Sequence, residues 1–259
     1  MSPNAVAPKF SFRYPLETLQ QVLADETCPC AFLDLETFDE NLDFLSRELE
    51  KIGRDVKIRI GTKSLRVPTL INRALQRSYC AGLLLFNAGE IQFLQENYGV
   101  TDFLLAYPVL GRREADLLAA GAQRDPAAVV TAMVDCPVHL ELLEQSAAAI
   151  DVTLSVCIDV DMGISFLKQL AGVMRTPLQT PEQVVNLARQ LEHFPHLKFR
   201  GIMGYEAQEA SIGDSSYIMR QMKKASRGLV PQKREAAVQA LADAGFKTEI
   251  VNGGGSGCF

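Results

Sequence analysis

The chain has 259 residues, 47% of them hydrophobic and 22% charged, an ordinary globular composition. Its 26 basic and 31 acidic residues give a net charge of −5, and aromatics make up 7% with no Trp, so neither the basic excess nor the stacking surface of a nucleic-acid binder is present. No run approaches the ~20 apolar residues of a membrane span, and Met1–Tyr14 holds no apolar segment of secretory type; a cytoplasmic protein with no nucleic-acid and no membrane partner is expected.

In chain order, short apolar runs alternate with helical patterns. Cys30–Leu35 is the first expected strand, and Phe38, Leu42, Leu45 and Leu49 then recur at helical spacing through Phe38–Ile52. Further strands are expected at Val56–Gly61, Cys80–Phe86, Asp102–Tyr107, Val129–Asp135, Val152–Val160, Phe199–Tyr205 and Lys247–Val251. Helices fall between them at Pro68–Arg77, Ala88–Tyr98, Gly111–Ala120, Pro137–Ala149, Pro181–Phe194 and Tyr217–Ala244, several opening on Pro. The strands are almost continuously apolar, as parallel strands covered on both faces are, so the alternation predicts a parallel α/β fold. No Gly-x-Gly-x-x-Gly follows the first strand, as a dinucleotide-binding open sheet would require. A glycine-rich turn follows the last strand instead, where (β/α)8 barrels place phosphate sites. A TIM-like (β/α)8 barrel is the expected architecture.

The six cysteines stand at 28, 30, 80, 136, 157 and 258, and only Cys28 and Cys30 are close; the three histidines at 139, 193 and 196 form no His-x-x-x-His pair. A four-ligand metal site is built from such pairs, so reduced thiols and no metal site within this chain are expected. Asn252-Gly-Gly-Gly-Ser-Gly257 follows an apolar strand and reads either as a backbone anion cradle with a hydroxyl from Ser256 or as a flexible tail. Lys63 lies just past the apolar run Val56–Ile60, at the strand end that faces a barrel's active site. There it is either an imine-forming amine, assisted by the charge of Arg59, or a solvated surface lysine. Asp135, Asp159, Asp161 and Glu206 also sit at strand ends, as metal ligands, acid–base groups or helix caps, and Tyr107 and Tyr205 as pocket-lining or core rings.

In order, Leu33-Asp34-Leu35 with Asn41, then Lys63, Asp102-Phe-Leu-Leu-Ala-Tyr-Pro108, Gly201-Ile-Met-Gly-Tyr-Glu206 and Asn252-Gly-Gly-Gly-Ser-Gly257 resemble the alanine racemase-like N-terminal barrel of fold type III pyridoxal-phosphate enzymes. The nearest subgroup by these motifs is the D-threonine aldolase and D-serine dehydratase-like proteins, also called amino acid deaminase/aldolase. The resemblance implies pyridoxal 5'-phosphate as cofactor, joined to Lys63 as an internal aldimine. It places the phosphate on the turn of Gly253, Gly254, Gly255, Ser256 and Gly257 beside Asn252, Tyr205 near the pyridine ring, and Arg175 along the site. The implied activity is that of a lyase on D-amino acids with a β-hydroxyl, by retro-aldol cleavage or by dehydration and deamination. The implied partners are a small amino acid substrate and a second copy of the chain in a homodimer.

The resemblance also implies an N-terminal extension over residues 1–29 and a barrel over 30–259, with Cys30–Leu35 outside the barrel and seven barrel strands. The closing strand and a β-rich C-terminal domain, which holds a divalent metal in the full-length parent, would lie beyond Phe259. Two alternatives remain open at this point: a non-catalytic pyridoxal-phosphate binding and homeostasis protein, and a cofactor-free aldolase working through Lys63.

Overall fold

The computed structural model describes residues 13–27, 29–53, 55–255 and 258, and the chain divides into two compact units, Met1–Leu45 and Ser46–Phe259. The first contains helix α1 (Leu16–Val22) and the start of α2 (Leu35–Ile52). The strand expected at Cys30–Leu35 is not formed: residues 30–34 are irregular and Leu35 already begins the helix. The cause is Asp34, whose carboxylate accepts the hydroxyl of Thr37 at 2.7 Å and the backbone N–H groups of Glu36 and Thr37 at 3.0 and 3.2 Å. That satisfies the first free donors of the helix three residues earlier than the apolar spacing suggests. The Thr37 hydroxyl, followed by the two backbone donors, holds the Asp34 carboxyl below the usual range.

The second unit is built on seven parallel strands: β1 (Ile58–Gly61), β2 (Cys80–Leu85), β3 (Asp102–Pro108), β4 (Val129–Val134), β5 (Leu154–Asp159), β8 (Leu197–Gly204) and β9 (Ile250–Gly253). They pair in that order, each with the next. The crossovers run through α3 (Pro68–Leu75), α4 (Glu90–Tyr98), α5 (Arg112–Arg124), α6 (Pro137–Ala148), α7 (Pro181–Gln190) and α9 (Tyr217–Asp243). Sequential pairing with a helix between successive strands is the winding of a TIM-like barrel, here a curled sheet of seven strands whose edges are β1 and β9.

Two elements beyond the expected set appear between β5 and α9. Strands β6 (Ile164–Phe166) and β7 (Gln169–Ala171) form an antiparallel hairpin. Its loop residues Leu167 and Lys168 both have positive φ, as a type I′ turn requires. The second element is a single helical turn, α8 (Ala207–Ala210), after β8. Among the described residues no helix is long and apolar enough to cross a membrane.

Strand periodicity sorts the side chains onto two faces. Leu83, Phe103, Leu105, Val130, Ala132, Val156 and Ile158 face the helices and pack with Leu118, Leu140 and Leu143 in one continuous core. The concave face carries a separate buried cluster of Leu104, Met133, Cys157 and Met203. Toward the strand starts, Asp102 accepts two hydrogen bonds from Arg59 on β1, at 2.7 and 3.1 Å, and two from Arg200 on β8, at 3.0 and 2.7 Å. Arg200 also donates to Thr131 on β4 at 2.7 Å.

A register shift makes the Arg200 contact available. Val156 pairs with Phe199 but Cys157 pairs with Gly201, leaving Arg200 as the extra residue of a bulge. Gly82 lies against the same cluster with φ +138°, and a Cβ there would stand 2.4 Å from the Asp102 carbonyl oxygen.

Burial pushes the Asp102 carboxyl up, but the hydrogen bonds and charges of Arg200 and Arg59 outweigh it and hold the group below its usual range. Its contribution to stability is therefore complete above the ordinary aspartate value near pH 4 and is lost as pH falls through the lower folded value. Asp102→Asn is expected to destabilise the chain by roughly 3 kcal/mol, the low end for removing one partner of a buried ion pair. Urea melts would measure the loss at pH 7, and the variant's stability should fall less steeply with acid below pH about 4 than that of the wild type.

Candidate active site

The C-terminal ends of the strands carry the residues singled out by the sequence. Lys63 is exposed in the turn after β1, and its Nζ approaches the Tyr107 hydroxyl on β3 at 3.5 Å. Arg175 lies with its guanidinium 5.9 Å from the Tyr107 ring centre and 5.5 Å from that of Tyr205, which follows β8. The same guanidinium is fixed from behind by Asp159 at the end of β5, through bonds of 2.7 Å from Nε and 3.1 Å from Nη2. Lys63, Tyr107, Arg175 and Tyr205 thus form one continuous line, and the Tyr205 hydroxyl is hydrogen-bonded to that of Ser211 at 2.7 Å.

Asp159 is held between opposing effects. Burial pushes its carboxyl up, the Arg175 guanidinium pulls it back only in part, and the neighbouring charges of Asp135 and Asp161 add to the rise. The bidentate geometry of the pair fixes the plane of the guanidinium as well as its position. Asp161 is buried, takes the Gly163 N–H at 3.3 Å on its carboxylate, and offers its carbonyl oxygen to Lys233 Nζ at 3.1 Å.

The glycine turn is reached through the pairing of β8 with β9, where Gly204 lies opposite Gly253. Asn252 Nδ2 points to the sulfur of Met203 at 3.2 Å. A Cβ on Gly253 would stand 2.6 Å from the Gly204 carbonyl oxygen and 2.5 Å from Arg234 Nη2, so no other residue fits without displacing one of them. Gly254 has φ +78°, and nothing lies within 4 Å of where its Cβ would stand. Ser256 and Gly257, expected to complete the turn, lie outside the described residues.

The turn is anchored by a group whose partner has no signal in the sequence. Glu206 is buried, and its two oxygens accept from Arg234 Nη2 on α9 at 3.0 Å and from the Gly254 N–H at 2.8 Å. Arg234 also donates to the Gly204 carbonyl oxygen at 3.0 Å. Arg234 sits mid-helix with no motif around it, and only the tertiary contact reveals it.

Arg59, expected to act beside Lys63, is instead committed to Asp102 on the concave face. Cys80, Cys136, Cys157 and Cys258 are free thiols, and burial pushes the Cys80 thiol up to about 11. The strand ends also bring Asp135, Cys136 and His139 within 4.8 Å of one another.

Residues 33–259 match the family described as alanine racemase, N-terminal domain. The chain is 26% identical over 233 residues to 3-hydroxy-D-aspartate aldolase of Paracoccus denitrificans (strain Pd 1222), a match covering 89% of this chain and 55% of that protein. The fold is similar to the crystal structure of D-threonine aldolase from Filomicrobium marinum, with a TM-score of 0.77 at 23% identity over 92% of this chain and 58% of the other. It is also similar to D-threo-3-hydroxyaspartate dehydratase from Delftia sp. HT23, with a TM-score of 0.67 at 16% identity over 91% and 57%. The chain spans a little over half the length of these relatives.

Glu206→Gln removes the charge that Arg234 faces and leaves one oxygen to serve two donors. It is expected to cost about 1–3 kcal/mol and to speed amide hydrogen exchange at Gly254 and Gly255. Unchanged exchange in that turn would show that Glu206 does not anchor it.

Proposed function

Since the chain belongs to the alanine racemase N-terminal domain family, we propose that it is the cofactor-binding barrel of a pyridoxal 5'-phosphate-dependent lyase acting on D-amino acids that carry a β-hydroxyl. The observation that carries this is the unbroken line from the exposed Lys63 amine through Tyr107 and Arg175 to Tyr205, which adjoins the glycine turn.

The residues fit the cofactor. Lys63 is the amine that would hold its carbonyl carbon, and the space left open over Gly254, whose N–H is bonded to Glu206, would take its phosphate beside Asn252. When bound, the cofactor withdraws electrons from the substrate's Cα, and the protein's groups decide which bond breaks.

The chain's own side chains supply binding and orientation. The Tyr107 hydroxyl accepts a hydrogen bond from Lys63 Nζ, which orients the amine and gives it a neighbour for proton exchange. Asp159 locks Arg175 in one plane, which would make Nη1 a preset donor for an anionic or electron-rich oxygen. The rings of Tyr107 and Tyr205 lie within cation–π distance of that guanidinium. Glu206 and Arg234 hold the turn that the phosphate is to occupy.

The test is borohydride trapping followed by peptide mapping. Incubation with pyridoxal phosphate and reduction should place a phosphopyridoxyl group on Lys63. Lys63→Ala should remove that label, together with any cleavage of D-threonine or D-3-hydroxyaspartate by the chain. Labelling at other lysines with Lys63 bare would overturn the assignment. Trapping of a carbonyl substrate on Lys63 without the cofactor would favour a cofactor-free aldolase.

A further inference from the structure

We propose that Asp135, Cys136 and His139 form a binding site for a divalent cation of the zinc class. The site shares no residue with the line that runs from Lys63 to Tyr205. Strand β4 ends at Val134 and α6 begins at Pro137. The chain therefore leaves the sheet at Asp135, turns at Cys136, and brings His139 back from the first helical turn. Asp135 and His139 are both buried, at 8% and 9% exposure. Asp135 Oδ1 lies 3.0 Å from His139 Nδ1, and Cys136 Sγ lies 3.4 Å from the same nitrogen. Cys136 occupies the helix N-cap, yet its side chain makes no capping hydrogen bond; its sulfur is turned to the histidine.

Protons alone serve this arrangement poorly. A ring nitrogen holds one proton in its plane. With that proton, Nδ1 serves either the carboxylate at 3.0 Å or the sulfur at 3.4 Å. Without it, Nδ1 faces a carboxylate oxygen at 3.0 Å, lone pair against lone pair. One cation bonded to nitrogen, oxygen and sulfur takes up all three lone pairs at once. Tetrahedral zinc, with bonds of about 2.0–2.3 Å, spans an N···O edge of about 3.4 Å and an S···N edge of about 3.6 Å. The N···O and S···N edges need to open only by a few tenths of an ångström, and the carboxylate and the sulfur lie within 4.8 Å of each other. Thiolate and imidazole ligands favour zinc-class ions over magnesium or calcium. Three protein ligands leave the fourth position to water or another small ligand.

The site is invisible to spacing rules because its ligands fall within five residues, Asp-Cys-x-x-His, with no second Cys or His pair.

The experiment titrates the chelator-treated, desalted chain with cobalt(II). One equivalent should bind, with tetrahedral visible bands and a thiolate-to-cobalt charge-transfer band that zinc abolishes on displacement. Cys136→Ser should lose the charge-transfer band. Asp135→Asn and His139→Gln, with far-UV circular dichroism unchanged, should weaken binding at least tenfold, since even an outer-shell partner is worth ~10–100-fold. A Cys28→Ser/Cys30→Ser double variant should keep the band. No cobalt uptake by the wild type, or a charge-transfer band that survives in Cys136→Ser, would overturn the site. If Cys136→Ser fails to fold, unchanged affinity in both Asp135→Asn and His139→Gln overturns it equally.

Discussion

A single carboxylate inside the curled sheet sets the frame for everything above it. Asp102 is gripped by two guanidinium groups, Arg59 from the first strand and Arg200 from the sixth of the seven in the sheet. The first and sixth strands of an open sheet share no ladder, and this three-residue cluster links them across the concave face. Two arginines buried there would be costly on their own. Four short hydrogen bonds to one carboxylate, with Thr131 taking a further donor, offset that cost. The apolar layer of Leu104, Met133, Cys157 and Met203 lies further along the same face.

The same device recurs nearer the strand ends. Asp159 fixes Arg175 beside the tyrosines, and Glu206 couples Arg234 to the backbone of the glycine turn. Each pair orients a group that the candidate chemistry requires, and each uses the directional fork of arginine rather than a diffuse charge. Lys63 stands apart from them. It is exposed and approaches the Tyr107 hydroxyl at 3.5 Å, which suits the role proposed for it above.

The sheet strands were legible because each buried strand is apolar over most of its length, and the helices because their apolar residues recur every three or four positions. The strand expected at Cys30–Leu35 is the informative miss. Its composition suits a strand, but Asp34 two residues ahead of Glu36 is a helix cap, and the capping bonds prevail over apolar composition. The β6–β7 hairpin escaped notice for the opposite reason. Its strands have three residues each, and its turn places Leu and Lys at positive φ where Asn or Gly would have given a signal.

By itself the sequence determined the order of strands and helices, the strand-end positions of Lys63, Tyr107 and Tyr205, and the glycine turn after the last strand. These depend on local period and on residue chemistry, which the chain carries in linear order. Tertiary structure alone decided that Arg59 faces Asp102 instead of Lys63, that Arg200 turns inward at a bulge, and that Arg234 reaches Glu206. Register shifts and contacts between distant segments set those outcomes. No local periodicity encodes where two side chains far apart in the chain will meet, because that depends on how many residues each strand spends before the sheet bends.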